Sequence, residues 1–242
     1  MKRIFRTLSI AAAALSIGLL SGYNCAIRQK KPLPISEIKV ERRAYELAYD
    51  GQHKQARWVY ERLTADSVKG ASDRSDFDFQ EDPFIPAVLR STKADYAKSG
   101  FDRGHLCPAA DARFSDEAMK ETFYLSNISP QCPQLNRGYW LKLEKHVRDL
   151  TNRYEVIHVF TGGLYLPKQE ADGKWYVRYQ VIGKNDVAVP THFFKVVLDD
   201  RGKSIEAFIL PNEPITTNTP LESFMSTTEK VEKAAGIYFQ CL

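Results

Sequence analysis

Asp102-Arg103-Gly104-His105 lies in the stretch SGFDRGHLCPAAD, and a second block, FYLSNISPQCPQLNRGYWLKLEKH, carries Asn127, Asn136 and Glu144. Together these residue types suit metal-assisted cleavage of a phosphodiester. Such cleavage needs an in-line nucleophile, neutralisation of charge on the phosphate and help for the departing oxygen. A histidine titrates near neutrality, so His105 is suited to accept a proton from water. The Asn136 amide oxygen is a neutral ligand for Mg²⁺, or for Mn²⁺ as a substitute; such an ion keeps several waters and takes one or two protein ligands. Glu144 could hold it through one of those waters. Arg103 offers a bidentate pair of donors to phosphate, and Asn127 is an orienting group near the metal or His105.

Each residue also has a structural reading. Asp102 reads as a partner for Arg103 or a backbone amide. Asn127 and Asn136 could be turn or cap residues, and Trp140 reads as core. His53, His146, His158 and His192 read as structural histidines. A rival metal scheme takes His105, Cys107 and Cys132 as zinc ligands, but it lacks paired-cysteine spacing and a fourth ligand. A pairing of Cys107 with Cys132 would pin the two blocks, and Cys25 with Cys241 would tie the termini.

The positioning elements are legible in part. AYELAYD and ARWVYERL around Gly51-Gln52-His53-Lys54 predict a β-hairpin. Residues 64–83, polar and containing Arg74, predict a long loop of the kind that often carries function. Ser115 should cap a helix running to about Thr122, and FYLSNISP reads as a strand ending at Pro130. From Asn136 the pattern turns helical, with Trp140, Leu143, Val147 and Leu150 on one stripe. Asn136 and Glu144 stand two turns apart on adjoining parts of a face. Arg137, Lys142, Lys145 and Arg148 make this helix locally basic. YEVIHVFTG, KWYVRYQVIG, THFFKVVLD and SIEAFILP predict strands, and Thr219-Pro220 predicts a last helix ending at Gly236. The mixture predicts an α+β domain with antiparallel sheet.

The chain has 242 residues and a net charge of +4. Residues 1–24 hold Lys2, Arg3 and Arg6 and no acid, so the remainder carries +1; bulk charge gives no argument for a nucleic-acid partner. Those residues, with an apolar run from Leu8 to Leu20, predict a signal peptide or membrane anchor. Residues 25–40 predict a linker and 41–242 a single catalytic domain. The expected location is exported, periplasmic or secreted, with membrane attachment through the leader or Cys25 as a variant and a mitochondrial presequence as the alternative.

Joined at this spacing, DRGH, SNISPQ, LNRGYW and the Leu143-Glu144 pair resemble the DNA/RNA non-specific endonucleases of the ββα-metal (His-Me finger) class, and look most like their endonuclease G branch. The resemblance is strongest from about Phe101 to Leu150. It implies that His105 is the general base, Asn136 the direct Mg²⁺ ligand, Glu144 the carboxylate on the metal's water, and Arg103 and Asn127 supporting site residues. Arg74 stands where the family places an upstream phosphate-binding arginine. DNA and RNA are the implied partners, cut with little sequence specificity to 5′-phosphate products. A homodimer is compatible with it. The opposed readings are a non-catalytic nucleic-acid-binding protein on the same scaffold and a phosphodiesterase for small substrates.

Overall fold

The computed structural model describes residues 37–216 and 218–239. The leader (1–24), most of the 25–40 linker, Cys25 and Cys241 lie outside the described residues. The elements run β1 (Ile38–Glu41), β2 (Glu46–Asp50), β3 (Gln55–Leu63), α1 (Lys93–Tyr96), β4 (Asp102–His105), α2 (Asp116–Thr122), β5 (Ile128–Gln131), a π-helical turn (Leu135–Trp140) and α3 (Leu141–Leu150). Then come β6 (Ile157–Leu164), the short β7 (Lys168–Gln169), β8 (Trp175–Tyr176), β9 (Val181–Ile182) and β10 (Val187–Ala188), and finally β11 (His192–Asp199), β12 (Ser204–Pro211) and α4 (Thr228–Ala235).

Six strands form one antiparallel sheet in the order β1-β2-β3-β6-β11-β12. The β2–β3 hairpin forms around the predicted turn, with Lys54 at φ 61°. The last residues of the expected linker are strand, since β1 starts at Ile38.

The strands alternate, so β11 sends its side chains to two layers. Phe193 and Val197 join Leu47, Val59, Val159, Trp140, Leu143, Val147 and Leu150 in the main core. Phe194, Val196 and Leu198 pack with Val231 of α4 on the other face. The predicted stripe of α3 is therefore the surface that docks the helix on the sheet. Its four apolar residues are each at most 2% exposed, and full burial of such a side chain is worth about 1.5–3 kcal/mol.

Four expectations are corrected. FYLSNISP is strand only from Ile128; Leu125–Asn127 is a 3₁₀ turn. KWYVRYQVIG yields only the two-residue β8 and β9, because Trp175, Val177 and Val181 face solvent. Thr219-Pro220 opens only a 3₁₀ turn at Leu221–Phe224; Thr227 caps α4 by accepting from the Lys230 amide. Cys107 and Cys132 are both free thiols. By contrast α2 is bounded as expected, with Ser115 accepting from the Ala118 amide.

Candidate active site

β4 and β5 form a two-stranded antiparallel ribbon that pairs Asp102 with Gln131 and His105 with Ile128. Period-two alternation puts Arg103 and His105 on one face. Gly104 occupies the other, where a Cβ would fall 2.1 Å from Gln131 Oε1, so any side chain there must displace Gln131. Past His105 the pairing continues through the Leu106 amide to Asn127 O. The fully buried Asn127 side chain accepts from the Cys107 amide at 2.9 Å and donates to Cys107 O and Thr122 O at 2.9 Å each. Asn127 therefore fixes the strand just behind the histidine, as an orienting group would, and is not among the residues that line the cavity.

The helix after β5 begins at Pro133, three residues earlier than the apolar pattern indicates. It widens to a π turn over Leu135–Trp140 before α3. In a regular α-helix, eight residues at ~100° each leave Asn136 and Glu144 about 80° apart in azimuth. A π turn takes about one more residue per turn, which closes most of that angle. Both side chains line a single cavity of about 890 Å³, together with Arg74, Arg103 and His105. Five of the six expected site residues thus come together; Asn127 is the exception.

The His105 ring is buried against Phe79 (centroids 5.5 Å) and edge-to-face with Phe123 (5.0 Å, 85°). Nε2 is sealed without a partner, which leaves Nδ1 as the nitrogen with access to the cavity. Burial, with a smaller contribution from Arg74, pulls the imidazole down from 6.5 to about 3. It is neutral at physiological pH, and the same burial makes it a weak base until the negative charge of a phosphate beside it favours the imidazolium. The Arg103 guanidinium lies 4.4 Å over the Phe79 ring, a contact that aims it without consuming its N–H donors.

Asn136 donates Nδ2 to Asp102 Oδ2 at 2.9 Å, so its carbonyl oxygen is the end left for the cavity. Asp102 pairs with Arg137, not with Arg103: Arg137 Nε and Nη2 reach its two oxygens at 2.7 and 2.6 Å. That pair, with Asn136, holds the Asp102 carboxyl below its ordinary range. Glu144 is half-buried, and burial lifts its carboxyl to about 7, opposed mainly by Lys195. Beneath it lies a charged cluster on the sheet. Lys195 donates to Thr161 Oγ1 at 2.6 Å, and Arg148 pairs with Asp111 at 2.8 Å beside Glu61.

Among the described residues no group of three or more His, Cys, Asp or Glu side chains could hold a metal, so His105, Cys107 and Cys132 do not assemble the rival zinc site. The donor set instead fits a hard, heavily hydrated cation, with one amide oxygen and one carboxylate facing the same space. Sequence reading passed over Lys93, Arg113 and Arg137, which also line the cavity. Arg137 was visible beside Asn136, but only as one more cation of a basic helix.

A two-stranded ribbon and a helix gathered around one histidine define the ββα-metal nuclease class. Comparison with known proteins agrees. The family model for DNA/RNA non-specific endonucleases matches residues 26–242. Human mitochondrial endonuclease G is 51% identical over 208 residues, 85% of this chain and 70% of that protein. Nuclease C1 of Cunninghamella echinulata var. echinulata is 48% identical over 206 residues, 83% of this chain and 81% of that one. A crystal structure of an EndoG/EndoGI complex aligns at TM-score 0.81 and 44% identity, covering 86% of this chain and 87% of its counterpart. The chain belongs to the DNA/RNA non-specific endonuclease family.

Proposed function

We propose that this protein hydrolyses internal phosphodiester bonds of DNA and RNA, with Mg²⁺ (or Mn²⁺) and with little sequence preference. The observation that carries the reading is the neutral, buried His105, whose open nitrogen shares one cavity with the Asn136 oxygen and the Glu144 carboxylate. Asn136 would hold the metal directly and Glu144 through water. When bound, the metal supplies positive charge to the phosphate and to the leaving oxygen. His105 Nδ1 takes the proton of the attacking water. Arg103 and Arg74 bind phosphate oxygens, and Phe79 keeps the Arg103 plane in place. Asp102 fixes which end of the Asn136 amide faces the cavity. Contacts to phosphate carry no base information directly, which accounts for low specificity on either nucleic acid.

The leader would carry one catalytic domain, which starts no later than β1 at Ile38, out of the cytosol. The mitochondrial name of the human relative supports an organellar destination; export rests on the leader alone. Nicking of a supercoiled plasmid with Mg²⁺ and with chelator tests the activity. His105→Ala and Asn136→Ala should each lower the nicking rate by orders of magnitude while far-UV circular dichroism stays unchanged. A wild-type protein that binds plasmid without cutting it under any divalent metal would support a binding protein instead.

A further inference from the structure

Arg137 is the one cation of the cavity that shares a carboxylate with the proposed metal ligand. Its Nε and the Asn136 Nδ2 both donate to Asp102 Oδ2. The guanidinium therefore begins within two hydrogen-bond lengths of the Asn136 amide. The pairing is lopsided: the Arg137 side chain is 72% exposed, Asp102 only 15%. An arginine has five N–H donors in a planar fork. Two are taken by Asp102, and the other three stay outside that pair on a side chain that lines the cavity.

An ion pair this exposed adds little to folding. What it does is hold a long side chain in one orientation, which removes much of the ordering cost of binding an anion. Asp102 also needs a neutralising partner, since a bare carboxylate at this point would repel a polyanion. Arg74 and Arg113 come from separate segments, joined by the Ser72 amide to Arg113 O. The helix wall contributes Arg137 to the same space.

We propose that Arg137 binds the backbone phosphate next to the scissile one, on the Asn136 side, with Asp102 as the residue that aims it. This rests on the nuclease reading and adds to it a subsite that makes a polymer, not a mononucleotide diester, the preferred substrate.

The test is binding of a short fluorescein-labelled oligonucleotide by the full protein in chelator, followed over a range of salt. Each phosphate contact contributes about 0.7–0.9 to the slope of log affinity on log salt. Arg137→Gln should flatten the slope by that amount and weaken binding about tenfold at low salt. Arg137→Lys should recover most of the slope, because charge rather than shape governs counterion release. In turnover with Mg²⁺, the Arg137→Gln loss should fall on KM for plasmid more than on kcat, and should be several-fold larger for plasmid than for bis-nitrophenyl phosphate. An unchanged slope and affinity in Arg137→Gln overturns the proposal. So does a loss confined to melting temperature or kcat, which would mark Arg137 as a structural latch for Asn136. Wild-type protein that binds the probe but never nicks plasmid would sink the nuclease reading alone.

Discussion

Glu144→Gln should stabilise this protein while removing its activity. The Glu144 carboxyl sits at about 7 in the folded chain, against an ordinary value of 4.5. At 1.36 kcal/mol per pKa unit, keeping it ionised at pH 8 costs the fold about 3 kcal/mol. Partial exposure of the side chain trims this to about 2 kcal/mol through solvent screening. The sign follows from proton binding. Between 4.5 and 7 the folded state holds the proton more tightly than the unfolded chain, so stability falls as pH rises across that window. Below 4.5 both states are protonated and the penalty is absent. A neutral amide of the same shape escapes it, so Glu144→Gln should gain about 2 kcal/mol at pH 8, or roughly 4–8 °C in Tm for a chain of this size, and nothing at pH 4. The measurement is thermal unfolding of both proteins in chelator at the two pH values, beside a plasmid-nicking assay. A Glu144→Gln protein that melts no higher than wild type at pH 8 would refute the argument. An equal gain at pH 4 would also refute it, since that gain could not come from ionisation.

His105→Ala should lower the nicking rate by about 10²–10⁴, and should also flatten acid denaturation, since the wild-type ring must charge between 6.5 and about 3 as the fold is lost; parallel pH melts of the two proteins check this. Asn127→Ala should cost about 2–4 kcal/mol by stranding the Cys107 amide and two buried carbonyls, read by urea unfolding, and the folded fraction should keep measurable activity because no group of Asn127 reaches the cavity. Gly104→Ala should destabilise by about 1–3 kcal/mol, since the new methyl must displace Gln131; an unchanged urea midpoint would count against the packing described.

Strands that bury one or both faces were legible because burial wrote a pattern into them, as in Phe193 to Leu198 and in Val59 and Leu63. The order of those strands was not, because β11 enters between β6 and β12 through pairings that no local signal encodes. KWYVRYQVIG misled for the converse reason. It has β-forming side chains with no sheet to receive them, and Trp175 stays 66% exposed. The last helix was misplaced because Thr219-Pro220 has the residues of a helix start, whereas the packing of Val231 against β11 and β12 places the helix further on. In the cavity, His105, Asn136, Glu144, Arg103 and Arg74 were readable as chemistry. The pairing of Asp102 with Arg137 spans 35 positions, and sequence alone gives no reason to prefer it over Asp102 with its neighbour. How Asn127 supports the site was not readable, because a carboxamide that ties backbone and one that faces a ligand look alike in a string of letters.

The wide turn at Leu135–Trp140 makes this helix sensitive to its length even at a position where the side chain itself is free to change. Gly138 touches nothing within 4 Å where a Cβ would stand, so many codons at that position would be silent. Removing the codon altogether is another matter. The helix could regularise, and everything after it would swing by about 100° relative to Asn136, carrying either the apolar stripe off the sheet or Glu144 out of the cavity. Within this family, lineages that change the letter at this one glycine should still be held to a fixed count of residues across the turn.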